Sequence, residues 1–347
     1  MSLSDLGAAA LRRLDPETAH GWAITALKTL PLPQPGPDDP VLATHVGGLV
    51  LSNPVGLAAG LDKNAEALAG LSRLGFGFVE CGSVTPLPQA GNPRPRLFRL
   101  SPDRAIINRM GFNNRGLEAF ASGLADRPRG TVVGGNLGAN KDTEDRAADY
   151  VAGLRRLDGL ADYFTINISS PNTPGLRALQ GRAALDDLLG RVAEARRPDA
   201  AGRVPVFLKI APDLSATEIG MIVEAALAHG IDALIVSNTT LERPGLTSPD
   251  AGESGGLSGE PLRPFAQAAL VAAAEASAGR LPLIGVGGIA SGADAWARIR
   301  AGACAIQIYS ALIYEGPGLV SRIKSDLAAR VRAEGFSSVL AASRATR

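Results

Sequence analysis

Short apolar runs alternate with helical patterns along most of this chain. From about residue 53 the runs occupy residues 54–59, 78–81, 131–133, 163–168, 206–210, 233–236, 283–286 and 305–309. Each is of strand length and ends in polar or glycine-rich positions. Stretches with apolar residues at helical spacing follow most of them, as at 183–195 and 217–229. Eight βα units in succession predict an α/β protein built on a (β/α)8 barrel, with its site at the C-terminal ends of the strands. The rival is a doubly wound sheet, which usually opens with a GxGxxG turn after its first strand. Here that position reads Ala58-Ala59-Gly60-Leu61-Asp62-Lys63-Asn64, which is not that turn.

The first 30 residues follow a different pattern. Asp15-Pro16-Glu17 predicts a helix start, with Asp15 as N-cap and Pro16 at the first helical position. Ala19, Trp22, Ala23, Ala26, Leu27 and Leu30 then form an apolar stripe at helical spacing, and a shorter helix before it carries Leu3, Leu6, Ala10 and Leu14. Prolines at 31, 33, 35, 37 and 40 make a stiff linker. The expected organisation is a helical pair with its linker over residues 1–40, ahead of a barrel over residues 41–347.

Composition narrows the function. The 347 residues are 46% hydrophobic and 20% charged, as in a globular protein. A formal net charge of +1 gives no general attraction to nucleic acid. Cys81 and Cys304 stand far apart with no CxxC, so no disulfide framework or metal centre is expected, and a reducing cytoplasm is the natural compartment. No apolar run approaches the ~20 residues that cross a bilayer.

The strand ends carry the candidate chemistry. Lys63 follows the first run, Ser83 the second, Asn136 the third, and Asn167, Ser170 and Asn172 the fourth. Lys209 ends the fifth, Ser237-Asn238-Thr239-Thr240 the sixth, Gly287-Gly288 the seventh and Tyr309-Ser310 the eighth. These amides, hydroxyls and two lysines make an anion-tolerant, hydrogen-bonding pocket. Glycines after strand 7, with strand 8 behind them, suit a phosphate held by backbone N–H groups. Lys209 inside Val-Phe-Leu-Lys-Ile is the sharpest anomaly, because a lysine in an apolar run is costly without a partner. Neither His20, His45 nor His229 follows a strand end, so a Ser-His triad is not expected. Such a pocket suits a cofactor that performs the hard chemistry itself, and flavin mononucleotide (FMN) meets its demands.

Six segments, taken together, resemble the dihydroorotate dehydrogenases: Ala58–Lys63, Asn108–Asn114, Asn167–Gly175, Ser237–Thr240, Gly255–Gly259 and Gly285–Ile289. The match runs in order along nearly the whole chain. It implies oxidation of dihydroorotate to orotate in pyrimidine synthesis, with FMN as hydride acceptor. By position it implies flavin contacts at Ala59, Gly60, Lys63, Ser83, Asn136, Asn167, Lys209, Ser237, Gly259, Gly288, Tyr309 and Ser310. Substrate contacts are implied at Lys63, Asn108, Arg109, Met110, Gly111, Phe112, Asn167, Asn172, Asn238 and Thr239. Ser170 takes the position of the base, with Thr173 a candidate for carrying its proton onward.

Ser170 also bears on the subfamily. Soluble members carry Cys there, whereas the membrane-associated, quinone-dependent members carry Ser. The N-terminal helices resemble those that admit quinone in that subfamily, and His20, Arg99 and Tyr309 resemble its quinone-pocket residues. The resemblance implies a peripheral, monotopic protein on the cytoplasmic face of the cell membrane. Two alternatives stay open at this point: a soluble FMN barrel using fumarate or an NAD-linked partner, and a non-catalytic barrel that binds a phosphorylated ligand.

Overall fold

The computed structural model describes residues 3–196, 198–199 and 202–345. Eight parallel strands close into a barrel: β1 (Val55–Leu57), β2 (Phe78–Val84), β3 (Val132–Leu137), β4 (Tyr163–Asn167), β5 (Val206–Ile210), β6 (Ala233–Val236), β7 (Leu283–Val286) and β8 (Ala305–Ile308). Neighbours in sequence are neighbours in space, and β8 pairs back onto β1. The doubly wound alternative is thereby excluded. All eight expected runs are strands, with β2 and β3 each extending three or more residues further than the apolar pattern suggested. The helices Arg182–Ala195 and Ala216–Ala228 lie within one residue of the expected stretches.

Inside the barrel, large rings meet small residues. Tyr163 stacks on Phe207 with ring centroids 4.6 Å apart, and Phe78 meets Tyr163 edge-on at 6.3 Å. Gly134 faces that cluster because a Cβ there would lie 2.1 Å from the Tyr163 ring. A hairpin of Thr44–Val46 and Leu49–Leu51 closes this N-terminal end of the barrel, with Val46 and Leu51 buried in the same cluster. These layers leave the opposite end, where the strands finish, as the open one.

Two features frame that open end. An antiparallel sheet of Leu97–Leu100, Ala105–Asn108 and Gly256–Gly259 stands beside it, joining segments about 150 residues apart in the chain, as in the pair Leu257↔Ile107. Helices α1 (Leu3–Leu11) and α2 (Pro16–Thr29) lie beyond it. Asp15 caps α2 by accepting from the Thr18 N–H at 2.9 Å, as the Asp-Pro-Glu start predicts. The turn between these helices is tied down by Arg99, whose Nη1 donates to the carbonyls of Arg12 (2.7 Å) and Leu14 (3.1 Å). Arg12 in turn donates to the carbonyls of Ile313 and Tyr314. Among the described residues no helix is long and apolar enough to cross a membrane.

Candidate active site

A cavity of about 860 Å³ runs from the strand ends of the barrel to the gap between α1 and α2. Its inner wall holds Ser170, Asn167, Asn172, Lys63, Lys209, Asn238 and Thr239. Its outer wall is apolar, and all six stripe residues of α2 and its end (Ala19, Trp22, Ala23, Ala26, Leu27, Leu30) line it. His20, Arg99 and Tyr309 border the same space. The helical stripe therefore lines a channel and does not simply pack on the barrel.

The polar end is an ordered amide network. Asn167 donates from Nδ2 to Ser83 Oγ (3.0 Å) and Asn136 Oδ1 (3.1 Å), and its Oδ1 accepts from Asn238 Nδ2 (3.2 Å). Asn172 Nδ2 donates to Asn108 Oδ1 at 3.1 Å. The backbone N–H of Asn172 donates to Ser170 Oγ at 3.3 Å, and Ser170 itself is buried. The Thr173 hydroxyl is buried with no hydrogen-bond partner among the described residues, as is that of Thr239, a residue that lines the cavity. Arg177 clamps the strand ends from behind, donating to the carbonyls of Ser169 (3.0 Å) and Thr239 (2.9 Å).

One carboxylate at the centre was not anticipated. Glu80, fully buried on β2, accepts from Asn136 Nδ2 (2.7 Å), Tyr163 Oη (3.2 Å), Thr165 Oγ1 (3.0 Å) and Gln307 Nε2 (2.9 Å). Four donors from three other strands converge on its two oxygens, as buried charge requires. Lys209 is 5% exposed, and no hydrogen-bond partner for its ammonium is found among the described residues. Burial pushes the Lys209 amine below its usual range, and the charge of Glu80 partly opposes that. The signal for Glu80 was present in the sequence: a glutamate in Phe-Val-Glu-Cys is as anomalous as a lysine in Phe-Leu-Lys-Ile.

Lys63 stands at the junction of the two halves. Its Nζ lies 3.2 Å from Nε2 of His20 on α2. Burial brings the Lys63 amine down to about 8, and burial beside that ammonium lowers the His20 imidazole to about 3. Asp62 next to it is a turn residue, its carboxylate accepting from the N–H groups of Asn64, Glu66 and Ala67. It orders the turn but caps no helix, because the helix Leu68–Leu71 that follows has Ala67 as its N-cap with no side-chain cap.

The turn after β7 is shaped for an anion. Gly287 and Gly288 both have positive φ (107° and 69°), and a Cβ on Gly288 would fall 2.6 Å from the Arg263 backbone. The N–H groups of Gly288 and Ile289 meet no acceptor among the described residues. Tyr309 and Ser310 follow β8 on the same cavity, and Ser310 Oγ donates to Ser258 Oγ at 2.8 Å. Unpaired backbone donors, a buried free amine and a cavity of this volume fit a phosphorylated, ring-bearing cofactor.

Of the residues named from the sequence, Ala59, Gly60, Ser83, Ser237, Gly259, Gly288, Met110, Gly111 and Phe112 also line the cavity. Asn136 sits one layer below, between Glu80 and Asn167. Arg109 is the exception. Its guanidinium turns outward to Glu253 (2.6 Å) and the Pro95 carbonyl (2.9 Å), over the Phe98 ring, so its side chain does not line the cavity. Groups of three or more metal-ligating side chains are absent among the described residues.

Comparison with known proteins agrees with this geometry. The family model of dihydroorotate dehydrogenase matches residues 41–331. A protein of Rhodospirillum rubrum named dihydroorotate dehydrogenase (quinone) is 59% identical over 330 residues, covering 94% of this chain and 90% of that protein. One of the same name from Parvibaculum lavamentivorans is 55% identical, covering 97% of each. The crystal structure of Eimeria tenella DHODH in complex with ferulenol superposes with a TM-score of 0.90 at 42% identity, over 94% of each chain. The chain belongs to the dihydroorotate dehydrogenase family, in the branch whose members carry the quinone designation.

Proposed function

We propose that this protein oxidises dihydroorotate to orotate, with FMN as resident cofactor, and delivers the two electrons to a quinone. The single observation that carries the reading is the continuity of one cavity from Ser170 and the amide network to the apolar gap between α1 and α2. A polar end suits an anionic ring substrate, and an apolar end suits a lipophilic acceptor.

Dihydroorotate bears a carboxylate and ring amides. Lys63 would meet the carboxylate, while Asn108, Asn167, Asn172, Asn238 and Thr239 offer donors and acceptors to the ring edges. Ser170 would take the proton from C5 as hydride leaves C6. A hydroxyl is a weak base, so the N–H of Asn172 at 3.3 Å matters: its donation favours negative charge on Oγ. Thr173, buried nearby with a hydroxyl that has no partner among the described residues, is the candidate to carry the proton onward.

The cofactor supplies a ring that accepts the hydride and later gives up the electrons. Gly288, Tyr309 and Ser310 would hold its phosphate, and Lys209 would stand as counter-charge to its ring. Ala59, Gly60, Ser83, Asn136, Asn167, Ser237 and Gly259 would complete its bed. His20, Arg99 and Tyr309 would border the quinone, in a channel lined by exposed Trp22 and Leu30, with Leu6 and Leu14 also exposed on the N-terminal segment. Such an apolar surface suits a protein lying peripherally on the cytoplasmic face of the cell membrane.

The test is anaerobic mixing. Dihydroorotate should bleach the flavin absorbance of the purified protein, and a soluble quinone, but not fumarate, should restore it. Recovery with fumarate alone would overturn the acceptor, and failure of dihydroorotate to bleach a flavin-loaded protein would overturn the substrate.

A further inference from the structure

Behind the β7 turn lies an arginine that touches neither the cavity nor solvent. Arg298, on the helix Gly292–Arg300, is 1% exposed and is absent from the cavity wall. Its Nη2 donates to the carbonyls of Gly287 (2.7 Å) and Arg263 (3.0 Å), and its Nη1 to Gln267. Burying a guanidinium this completely is costly, and here most of its bonds go to backbone carbonyls. Neighbouring Asp294 pairs with Arg263 at 3.0 Å instead. Core packing alone would not select an arginine here, because an apolar side chain of similar length fills the same space without that cost.

Peptide geometry gives the bonds a purpose. The Gly287–Gly288 bond is trans, so its C=O and N–H point in opposite directions. Holding the Gly287 carbonyl back against Arg298 therefore turns the Gly288 N–H forward, towards the cavity. The next peptide repeats the arrangement. Arg263 Nε accepts no proton but donates one, at 3.0 Å, to the Gly288 carbonyl, which turns the Ile289 N–H the same way. Asp294 fixes the far side by accepting from the Ala290 N–H at 3.0 Å. The Gly288 and Ile289 N–H groups that this brace orients meet no acceptor among the described residues.

We propose that Arg298 is a positioning residue for the phosphate group of the bound flavin: it never touches the phosphate, but it holds the Gly287–Ile289 turn so that two backbone N–H groups face it. The inference rests on the FMN reading above. It deepens that reading by separating the residues that contact the phosphate from the one that aims them.

Riboflavin, which lacks the phosphate, separates aim from general structure. Full-length wild type, Arg298→Met and Arg298→Lys are stripped of flavin and titrated with FMN and with riboflavin, following flavin fluorescence. Wild type should prefer FMN strongly. Arg298→Met should bind FMN on the order of ten- to a hundredfold more weakly, the effect of losing hydrogen bonds from a charged group, while riboflavin affinity stays at the wild-type value. Arg298→Lys keeps a donor for one carbonyl and should recover part of the preference. It also carries the test alone should the methionine variant fail to fold. Equal weakening of both flavins in a folded variant, or an unchanged preference for FMN, would overturn the role of Arg298 and leave the FMN reading standing. Wild type that binds neither flavin would overturn that reading, and the proposal with it.

Discussion

Lys63 Nζ and His20 Nε2 lie 3.2 Å apart, so a barrel lysine and a residue of the N-terminal helices meet inside one cavity. The contact joins the end suited to an anionic substrate with the end suited to an apolar acceptor. It also keeps the imidazole neutral, since burial and the adjacent ammonium both oppose a second positive charge.

Lys63 sets an alkaline limit on binding. Its amine titrates at about 8 in the folded chain, against an ordinary 10.5. A carboxylate held by Lys63 needs the protonated amine, so binding must take up a proton once the pH exceeds that value. Orotate affinity, measured by titration, should be level below pH 8 and fall by up to about tenfold per pH unit above it. Lys63→Met should bind weakly with no such break, and a break that survives in that variant would assign the titration to another group.

Glu80 should matter for stability more than any other polar residue of the barrel interior. Glu80→Gln turns one of the two oxygens that accept from four donors into a donor NH2, and removes the charge that offsets Lys209. Breaking a buried charged network in this way costs about 3–5 kcal/mol. Denaturant unfolding monitored by circular dichroism should show a midpoint lowered accordingly. A change below about 1 kcal/mol would mean that the network repairs itself around the amide.

Ser170→Ala leaves the amide network and the β7 turn intact, because Ser170 Oγ only accepts one backbone N–H. Flavin content should stay at the wild-type level. The rate of flavin bleaching by dihydroorotate should fall about 10²- to 10⁴-fold, the usual worth of a general base. Near-normal bleaching would remove Ser170 from the proton transfer.

Much of this was legible in the sequence, for a physical reason. Barrel strands buried on both faces read as continuous apolar runs, and the polar residues after each run are the ones the closed barrel gathers at one end. Ser170, Asn167, Lys63 and Lys209 were visible by that rule. Glu80 lies inside the run 78–81 with no partner near it in sequence, because the donors that satisfy it sit on three other strands that only the closed barrel brings together. Arg298 sits in a helix with charged neighbours, where an arginine ordinarily faces solvent. Its burial follows from Gly285, where a Cβ would press within 3.1 Å of the Arg298 side chain. Arg109 is implied at the substrate only by the resemblance, as part of the segment 108–112, of which Asn108 and Met110 line the cavity. Its own side chain leaves the end of the strand Ala105–Asn108 on the other side, where Glu253 awaits it.

The central claim is that one cavity serves two half-reactions from opposite ends, and a block in its apolar arm tests it most directly. Ala23 lines the channel on α2, away from Ser170 and the amide network. In Ala23→Trp, stopped-flow bleaching of the flavin by dihydroorotate should keep its wild-type rate. Recovery with a soluble quinone should slow on the order of tenfold or more, the effect of ~1.4 kcal/mol or more on that barrier. Unchanged recovery, or an equal slowing of both halves, would contradict the account.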